Sequence, residues 1–350
     1  MHKYALCLVA ATWFAATVAH AGNVGFKQKT LTDLDSDRPL EIAILYPAAN
    51  DGKNEIVGET PAWTGLALAR DAAPLPGQHP LVVVSHGYGG TWRNQLWLAH
   101  ELARRGYVVA APNHPGTTAF DRSPRQAARL SERPRDLTRV IDALLADPAI
   151  SGDIDPMRIA AVGHSLGGWT VMATAGARFE EGQFLEDCKT KASPIACNVY
   201  NELGVDGTAG AAALLGADLA DRRVQAVVSL DLGLARGFTP ASLAAVQIPV
   251  FVVGAGVEDG PRSAKLESGY LAEYLPQGTS RYLEIADAAH FSFMQICKPG
   301  ARALIEAETP GDGIVCDDGD GRDRATIHLE TAGVIAGFLN TALNVQQPLR

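Results

Sequence analysis

One serine stands in a sequence context that suits nucleophilic catalysis. The segment Gly163-His-Ser-Leu-Gly167 has the pattern Gly-x-Ser-x-Gly and lies between a hydrophobic run and a stretch of small and apolar residues. Between a strand and a helix, this pattern holds the serine on a very tight turn, so that larger side chains at the two glycines would collide with neighbouring backbone. The helix N-terminus behind Ser165 favours an anionic intermediate. We predict that Ser165 is a nucleophile.

A serine hydroxyl is a weak nucleophile until a base takes its proton. His290 follows a strand-like run, Tyr282–Ile285, and a short turn. Catalytic groups of open α/β sheets collect at such carboxyl ends of strands. We therefore predict His290 as the base. Among the other histidines, we expect His164 to be packed inside the serine turn, and His114, after Pro112-Asn113, is a candidate to line the cleft.

An acidic residue is expected to orient the base, and two positions between the serine and the histidine qualify. Asp231 directly ends the strand-like run Val224–Leu230. Asp259, with Glu258 beside it, follows the next strand-like run. Either loop is able to reach the histidine. We favour Asp231 because it directly abuts its strand, and Asp259 or Glu258 remains the alternative.

Backbone N–H groups are needed to hold an oxyanion. One is expected from Leu166, the residue after the serine. The other is expected from Tyr88, because the segment His86-Gly-Tyr-Gly-Gly90 follows a buried-strand pattern and its glycines allow close approach of the backbone to a substrate. Four aromatic residues are candidates for substrate contact or for ordinary packing: Trp92, Trp169, Phe291 and Phe293.

Neither a cofactor nor a metal ion is predicted. Gly254-Ala-Gly256 follows a strand-like run, but residue 259, where a dinucleotide loop would carry its third glycine, is Asp. Asp317–Asp323 is acidic but lacks the ligand spacing of a calcium loop. We interpret it as a solvated loop.

The first 21 residues are predicted to be a signal peptide. A short basic start precedes the apolar run Tyr4–Val18, and Ala19-His-Ala21 is a small-x-small cleavage pattern. A membrane anchor is the alternative, but the run is short for a bilayer span. We expect a mature chain from Gly22 with no membrane span, exported to the periplasm or secreted.

Composition is that of an ordinary globular enzyme. Of the 350 residues, 47% are hydrophobic and 20% are charged, and the formal net charge is −9. A negative chain repels nucleic acid and anionic membrane surfaces, so neither is expected as a partner. The oligomeric state stays open.

Four cysteines remain after the leader, and an even number in an exported protein indicates disulfides. Four cysteines allow three pairings. We favour the local one, Cys188–Cys197 and Cys297–Cys316, because each pair brackets a polar loop containing Pro or Gly. A metal site is the alternative, and the spacing of the cysteines does not support it.

Strand-like and helix-like runs alternate along the chain, which predicts an α/β fold with a doubly wound, mostly parallel sheet and helices on both faces. We expect residues 22–350 to form one domain, with a disulfide-tied insertion at 178–222 near the active site. Residues 48–79, rich in Gly, Pro and Asn, indicate a long loop. The predicted strands are Leu40–Tyr46, Leu81–Ser85, Tyr107–Ala111, Arg158–Gly163, Val224–Leu230, Pro249–Gly254 and Tyr282–Ile285. The predicted helices are Trp92–Arg105, Pro134–Ala146, Ser165–Ala177, Arg262–Leu275 and Arg324–Leu343.

Several of these segments resemble one branch of the α/β-hydrolases, the bacterial proteins related to platelet-activating-factor acetylhydrolase and dienelactone hydrolase. The likeness runs through most of the mature chain and is most specific in Pro80–Gly90, which contains Ser-His-Gly, and in His290-Phe-Ser-Phe-Met294. The resemblance implies the α/β-hydrolase fold, a Ser-Asp-His triad and ester hydrolysis, without a cofactor.

The resemblance also bears on the acid. In acetylhydrolase-like members the acid follows the strand after the nucleophile helix, which corresponds to Asp231. In many dienelactone-like members and polyester hydrolases it follows the next strand, near Asp259. Here Val257 occupies the position of the usual aspartate, which favours Asp231. Dienelactone hydrolases use a cysteine nucleophile, so Ser165 does not imply that activity.

The sequence as a whole predicts an exported serine hydrolase that cleaves carboxylic esters through an acyl-enzyme. Its substrate would be a small-molecule, lipid or polymer ester. Amide or thioester cleavage by the same residues is an alternative. A non-catalytic binding protein on the same fold is another.

Overall fold

The computed structural model describes residues 23–32, 37–49, 52–190, 193–257, 265–319 and 321–345. The predicted signal peptide and two of the candidate acids, Glu258 and Asp259, lie outside these residues.

The strands of the described chain belong to one sheet. They are β1 (Asn23–Leu31), β2 (Leu40–Ala48), β3 (Lys53–Val57), β4 (Leu66–Arg70), β5 (Gln78–Ser85), β6 (Val108–Pro112), β7 (Asp153–His164), β8 (Val224–Leu230), β9 (Val250–Ala255) and β10 (Ser280–Ile285). Their order across the sheet is β10-β9-β8-β7-β5-β6-β2-β1-β4-β3.

Six adjacent strands, from β6 through β5 and β7 to β10, pair in parallel. The chain passes from β5 to its neighbour β6 and then crosses back to β7 on the other side of β5. At such a switch point a crevice opens beyond the carboxyl ends of the strands. The predicted oxyanion loop follows β5 and Ser165 follows β7, so both lie at this crevice.

Helices cover both faces of the sheet because neighbouring strand residues point to opposite sides. Leu81 and Val83 of β5 pack in one apolar core, and Val82 and Val84 pack in the other. The helices are α1 (Leu96–Ala103), α2 (Pro124–Ala127), α3 (Glu132–Ala146), α4 (Leu166–Thr174), α5 (Glu181–Thr190), α6 (Pro194–Leu203), α7 (Ala211–Leu215), α8 (Pro240–Ala244), α9 (Ser268–Tyr274), α10 (Ala301–Glu308) and α11 (Arg324–Ala342). Buried residues of α3, α4 and α9 join the first core, and those of α1 and α11 join the second. The predicted doubly wound α/β architecture is confirmed.

None of the described helices has the length and apolar character needed to cross a bilayer.

The prediction of a long loop at residues 48–79 was wrong. This region contains β3 and β4, which pair with each other antiparallel, while β4 pairs in parallel with β1. Most side chains of β3 are exposed or half-buried. The strand lies at the edge of the sheet and forms through backbone pairing, so its sequence lacks the hydrophobic alternation of a buried strand.

Residues 178–222 interrupt the alternation of strands and helices, as expected. They contain α5, α6 and α7, and a disulfide joins Cys188 of α5 to Cys197 of α6. A second disulfide, Cys297–Cys316, closes a segment that follows His290. Both disulfides are the local pairs that the sequence favoured.

Candidate active site

Ser165 occupies a strained turn between β7 and α4. Its backbone has φ +56° and ψ −121°, a conformation that side-chain-bearing residues rarely adopt. The flanking glycines make the turn possible. A Cβ atom at Gly163 would lie 2.0 Å from the Gly167 carbonyl oxygen, and one at Gly167 would lie 1.9 Å from the Ser85 carbonyl oxygen. The turn therefore presents the serine at the head of α4.

Three side chains from separate loops form a hydrogen-bonded chain. Ser165 Oγ lies 3.1 Å from His290 Nε2, and His290 Nδ1 lies 2.6 Å from Asp231 Oδ2. A carboxylate only accepts hydrogen bonds, so Nδ1 carries the proton and Nε2 presents its lone pair to the serine hydroxyl. This is the protonation state that a base acting on Ser165 requires.

Asp231 is fixed by the backbone around it. Its φ of +40° lies in the left-handed region, which Asp and Asn tolerate better than most residues. Its N–H donates to Val253 O at 2.7 Å, and its Oδ1 accepts from the Ala255 N–H at 3.0 Å. One carboxylate oxygen is thus held by β9, and the other is left to face His290.

The turn that carries His290 is held by three buried rings. The Nε2 atoms of His164 and His328 lie 2.9 Å from the carbonyl oxygens of His290 and Ser292, respectively. The Trp97 indole N–H donates to the next carbonyl, Phe293 O, also at 2.9 Å. Each ring N–H fixes one peptide plane, so the backbone of His290 is positioned independently of its side chain.

Both supporting histidines are neutral. Burial lowers the pKa of His164 well below its ordinary value of 6.5, and the nearby His290 ring lowers it further. Burial lowers the pKa of His328 to about 3. A neutral imidazole has one donor nitrogen, and in each ring Nε2–H is that donor. His164 is packed inside the serine turn, as expected.

The loop after β5 lies against the serine. A Cβ atom at Gly87 would be 3.1 Å from Ser165 Cβ, so the glycine permits a close approach. The Gly87 carbonyl accepts from His86 Nδ1–H at 2.7 Å and from the Gly90 N–H at 3.1 Å. In a trans peptide the N–H points opposite to the carbonyl. The Tyr88 N–H therefore points away from these interior donors, on the side of the cleft.

The cleft beside Ser165 is a cavity of about 440 Å³ with walls from three parts of the chain. One wall is the loop 87–90, the second is α6, and the third is the chain from Phe291 to Val315, most of which the Cys297–Cys316 disulfide closes. Residues of the second and third walls are Ile195, Asn198, Val199, Glu202, Phe291, Met294, Thr309, Asp312 and Val315. The wall residues Asn198 and Val315 directly adjoin disulfide cysteines, so both disulfides brace the cleft.

The Tyr88 side chain connects two of these walls. Its hydroxyl lies near Glu202 of α6, and burial together with that carboxylate raises the pKa of the phenol. The Arg122 guanidinium lies 5.5 Å from the centre of the Tyr88 ring. The cleft thus combines apolar side chains with a cation and carboxylates near its mouth.

The structure separates the candidate aromatic residues and corrects the expectation for His114. Phe291 lines it, whereas Trp92, Trp169 and Phe293 are buried in the core. His114 is fully buried and does not line the cleft. These residues sit on elements near the site, and sequence position alone does not reveal which way a ring points.

Among the described residues, no group of three or more His, Cys, Asp or Glu side chains is arranged to hold a metal ion.

Comparison with known proteins places the chain in a family. A model described as the alpha/beta hydrolase family matches residues 81–296, which is more than half of the chain. The match begins in β5 and extends beyond His290, so it includes the loop 86–90 and the serine turn.

Individual relatives match shorter regions. The sequence is 32% identical over 99 residues to Cutinase est2 of Thermobifida alba, covering 28% of this chain and 30% of that protein. It is 31% identical over 99 residues to Cutinase 2 of Thermobifida cellulosilytica, covering 28% of this chain and 34% of that protein. The chain thus matches about a third of the length of these relatives.

A solved structure shares the fold over nearly its full length. The ferulic acid esterase from Streptomyces cinnamoneus superposes with a TM-score of 0.65 over 95% of this chain and 94% of that one, at 20% identity. This likeness is one of fold.

Proposed function

The chain belongs to the alpha/beta hydrolase family, and we propose that it is a serine hydrolase that cleaves carboxylic esters. The observation that carries the proposal is the hydrogen-bonded chain from Ser165 through His290 to Asp231, with distances of 3.1 and 2.6 Å. The likeness to proteins named cutinases, over the third of their length that it covers, also favours an ester. The narrower likeness to acetylhydrolases and dienelactone hydrolases remains a prediction.

Acylation begins when Ser165 Oγ attacks the ester carbonyl carbon and its proton passes to His290 Nε2. Asp231 stabilises the resulting imidazolium and keeps Nδ1 protonated. The carbonyl oxygen becomes an oxyanion, which accepts hydrogen bonds from the Tyr88 and Leu166 N–H groups. The tetrahedral intermediate then collapses, the C–O bond to the alcohol breaks, and His290 returns its proton to the departing alkoxide.

Deacylation repeats these steps with water. His290 Nε2 takes a proton from water, whose oxygen attacks the acyl carbon. Collapse breaks the bond to Ser165 Oγ, the histidine reprotonates the serine, and the carboxylic acid leaves. His290 Nε2 accepts and returns the proton in both steps.

The cleft favours a discrete ester of modest size. A cavity of about 440 Å³ lies within the range of small-molecule sites. The two disulfide-braced walls limit the room for a long acyl chain. We expect short p-nitrophenyl esters to be hydrolysed faster than the palmitate ester.

The protein is proposed to act outside the cytoplasm. Two disulfides in a chain of this size favour an oxidising compartment, either periplasmic or extracellular. Residues 22–350 would then be a single exported domain after removal of the leader.

The test is hydrolysis of a p-nitrophenyl ester series, from acetate to palmitate, by the wild type and by Ser165→Ala. We expect the variant to lose at least ~10³-fold in kcat. Matched amides and thioesters in the same assay identify the preferred leaving group. Equal activity of both proteins, or no turnover of any acyl compound together with no labelling by a fluorophosphonate, would refute the proposal and favour a binding protein.

A further inference from the structure

A buried arginine lies behind the proposed oxyanion hole. Arg133, at the start of α3, is fully buried, and each of its three guanidinium nitrogens donates. One bond goes from Nη2 to the carbonyl oxygen of His86, in the oxyanion loop itself. Another goes from Nε to Thr170 Oγ1 in α4, the helix that follows Ser165, at 2.9 Å.

The remaining bonds tie down the surroundings of the same loop. Nη1 donates to Thr117 Oγ1 at 2.5 Å, and the Thr117 carbonyl accepts from the Gly89 N–H at 2.9 Å. Nη2 also donates to Ser85 Oγ, at the end of β5, at 3.1 Å. The guanidinium therefore reaches the beginning of the oxyanion loop directly and its far side through Thr117.

The bond to Thr170 reaches the other half of the hole. Thr170 Oγ1 accepts from Arg133 and donates its own proton to the Leu166 carbonyl at 3.0 Å. Leu166 begins α4 and supplies the second proposed oxyanion donor. One rigid, planar group thus connects the segment that carries the Tyr88 N–H with the segment that carries the Leu166 N–H.

The acceptors around the guanidinium are uncharged. They are the hydroxyls of Thr170, Thr117 and Ser85 and the carbonyl of His86. Burial lowers the pKa of Arg133 from 12.5 to about 9, and the nearby Asp136 carboxylate raises it. The group is still a cation at neutral pH. Burying a cation against neutral acceptors is unfavourable for stability.

We propose that Arg133 is a positioning residue that holds the two halves of the oxyanion hole in register. The proposal rests on the serine hydrolase function proposed above. Loss of the guanidinium frees the His86 peptide and the first turn of α4 to move relative to each other. The effect falls on the tetrahedral state, in which the oxyanion contacts both halves, and much less on binding of the uncharged ester.

The test compares Arg133→Met with the wild type on a short p-nitrophenyl ester. Rates are divided by the number of sites titrated with a fluorophosphonate, so that a misfolded fraction does not count as slow turnover. We expect kcat per titrated site to fall ~10- to 100-fold, less than or similar to the loss of one oxyanion donor. KM is expected to stay within about threefold, and the Ki of a trifluoromethyl ketone, which forms a tetrahedral adduct, to rise by about the same factor as kcat falls.

Arg38→Met is the matched control. Arg38 is also buried, and its described hydrogen bonds go to Asp136, Pro115 and Gln126 rather than to the oxyanion loop or α4. We expect it to be destabilised in urea yet to keep kcat per site within about threefold. If Arg133→Met does not fold, Thr170→Val tests the link to α4, with an expected loss of roughly threefold to tenfold in kcat.

Each outcome is decisive. The positioning role would be overturned if Arg133→Met and Thr170→Val both kept the wild-type kcat per site. A rise in KM alone in Arg133→Met, or an unchanged Ki for the ketone, would overturn it as well. Partial recovery of kcat in Arg133→Lys, whose ammonium can reach only part of the bond set, supports it. A wild type that hydrolyses no ester refutes the proposed function instead, so the two failures are distinguishable.

Discussion

Replacement of Asp231 by Asn tests the proposed acid most directly, because the structure fixes how the new side chain would sit. Asp231 Oδ1 accepts from the Ala255 backbone N–H, so the Asn oxygen must take that position. The amide NH2 then faces His290 Nδ1, which has to accept a hydrogen bond instead of donating one. His290 is forced into the tautomer with its proton on Nε2, and no lone pair remains to take the proton of Ser165.

The expected loss is therefore that of the wrong tautomer, about 10⁴-fold in kcat or about 5 kcal/mol of barrier. The backbone should not be disturbed, since Asn tolerates the positive φ of residue 231. Ester hydrolysis at saturating substrate measures the loss, and urea denaturation of the same sample checks that the fold is retained.

The other candidate acids supply the controls. Asp259→Asn and Glu258→Gln change carboxylates that lie outside the described residues, and we expect kcat within about threefold of the wild type for both. Asp231 would not be the acid if Asp231→Asn kept more than a tenth of the wild-type kcat, or if Asp259→Asn lost as much as Asp231→Asn is expected to lose.

Two further predictions concern a buried carboxyl bonded to Ser193, just before α6, and the disulfide Cys297–Cys316. Burial raises the pKa of Glu267 from 4.5 to about 7, while hydrogen bonds from Ser193 and Ala235 oppose the shift. The folded state thus holds the Glu267 proton more tightly than the unfolded state does. The contribution of this proton to the free energy of unfolding is complete below pH ~4.5 and is lost as pH rises through ~7. The loss is up to about 3 kcal/mol. Urea denaturation across this range should show the loss in the wild type relative to Glu267→Gln, and parallel curves would contradict it. Replacing Cys297 and Cys316 by Ser should lower the free energy of unfolding by about 3 kcal/mol, as measured by denaturation. Initial rates should show a KM that rises more than kcat falls. An unchanged KM would argue against a bracing role of the disulfide.

The parts of the fold that could be predicted from sequence are those that bury side chains on a regular period. The strand Leu81–Ser85 is β-branched and buried on both faces, and it was found within β5. The edge strand β3 and its neighbour β4 were missed, because both are short and are held largely by backbone pairing that leaves little hydrophobic pattern. β1 was missed as well, since six of its nine residues are exposed or half-buried and five of these six are polar.

Within the site, local sequence was sufficient where the chemistry is local. The turn around Ser165 depends on the glycines two residues before and after it, so five consecutive residues are enough to predict its geometry. The choice between Asp231 and Asp259 depends on how two loops pack against a third, which no local pattern contains. Arg133 gave no signal at all, because it precedes the predicted start of its helix at Pro134 and neighbours exposed arginines such as Arg135.

The histidines explain why residue type alone is a poor guide here. Besides His290, four described histidines are buried with a lowered pKa, namely His86, His114, His164 and His328. A buried neutral imidazole offers one donor and one acceptor in a fixed plane, which suits it to orient a peptide group. His86 accepts from the His114 N–H at 3.0 Å and donates to the Gly87 carbonyl, while His164 and His328 donate to the turn of His290. The loop 86–90 and the turn of His290 are therefore oriented by the same kind of contact. Of the described histidines, the half-buried His290 is the one at hydrogen-bond distance from Ser165 Oγ. A search for a catalytic base by residue type finds seven histidines after the predicted leader, and the direction of each ring, rather than its type, separates the proposed base His290 from the others.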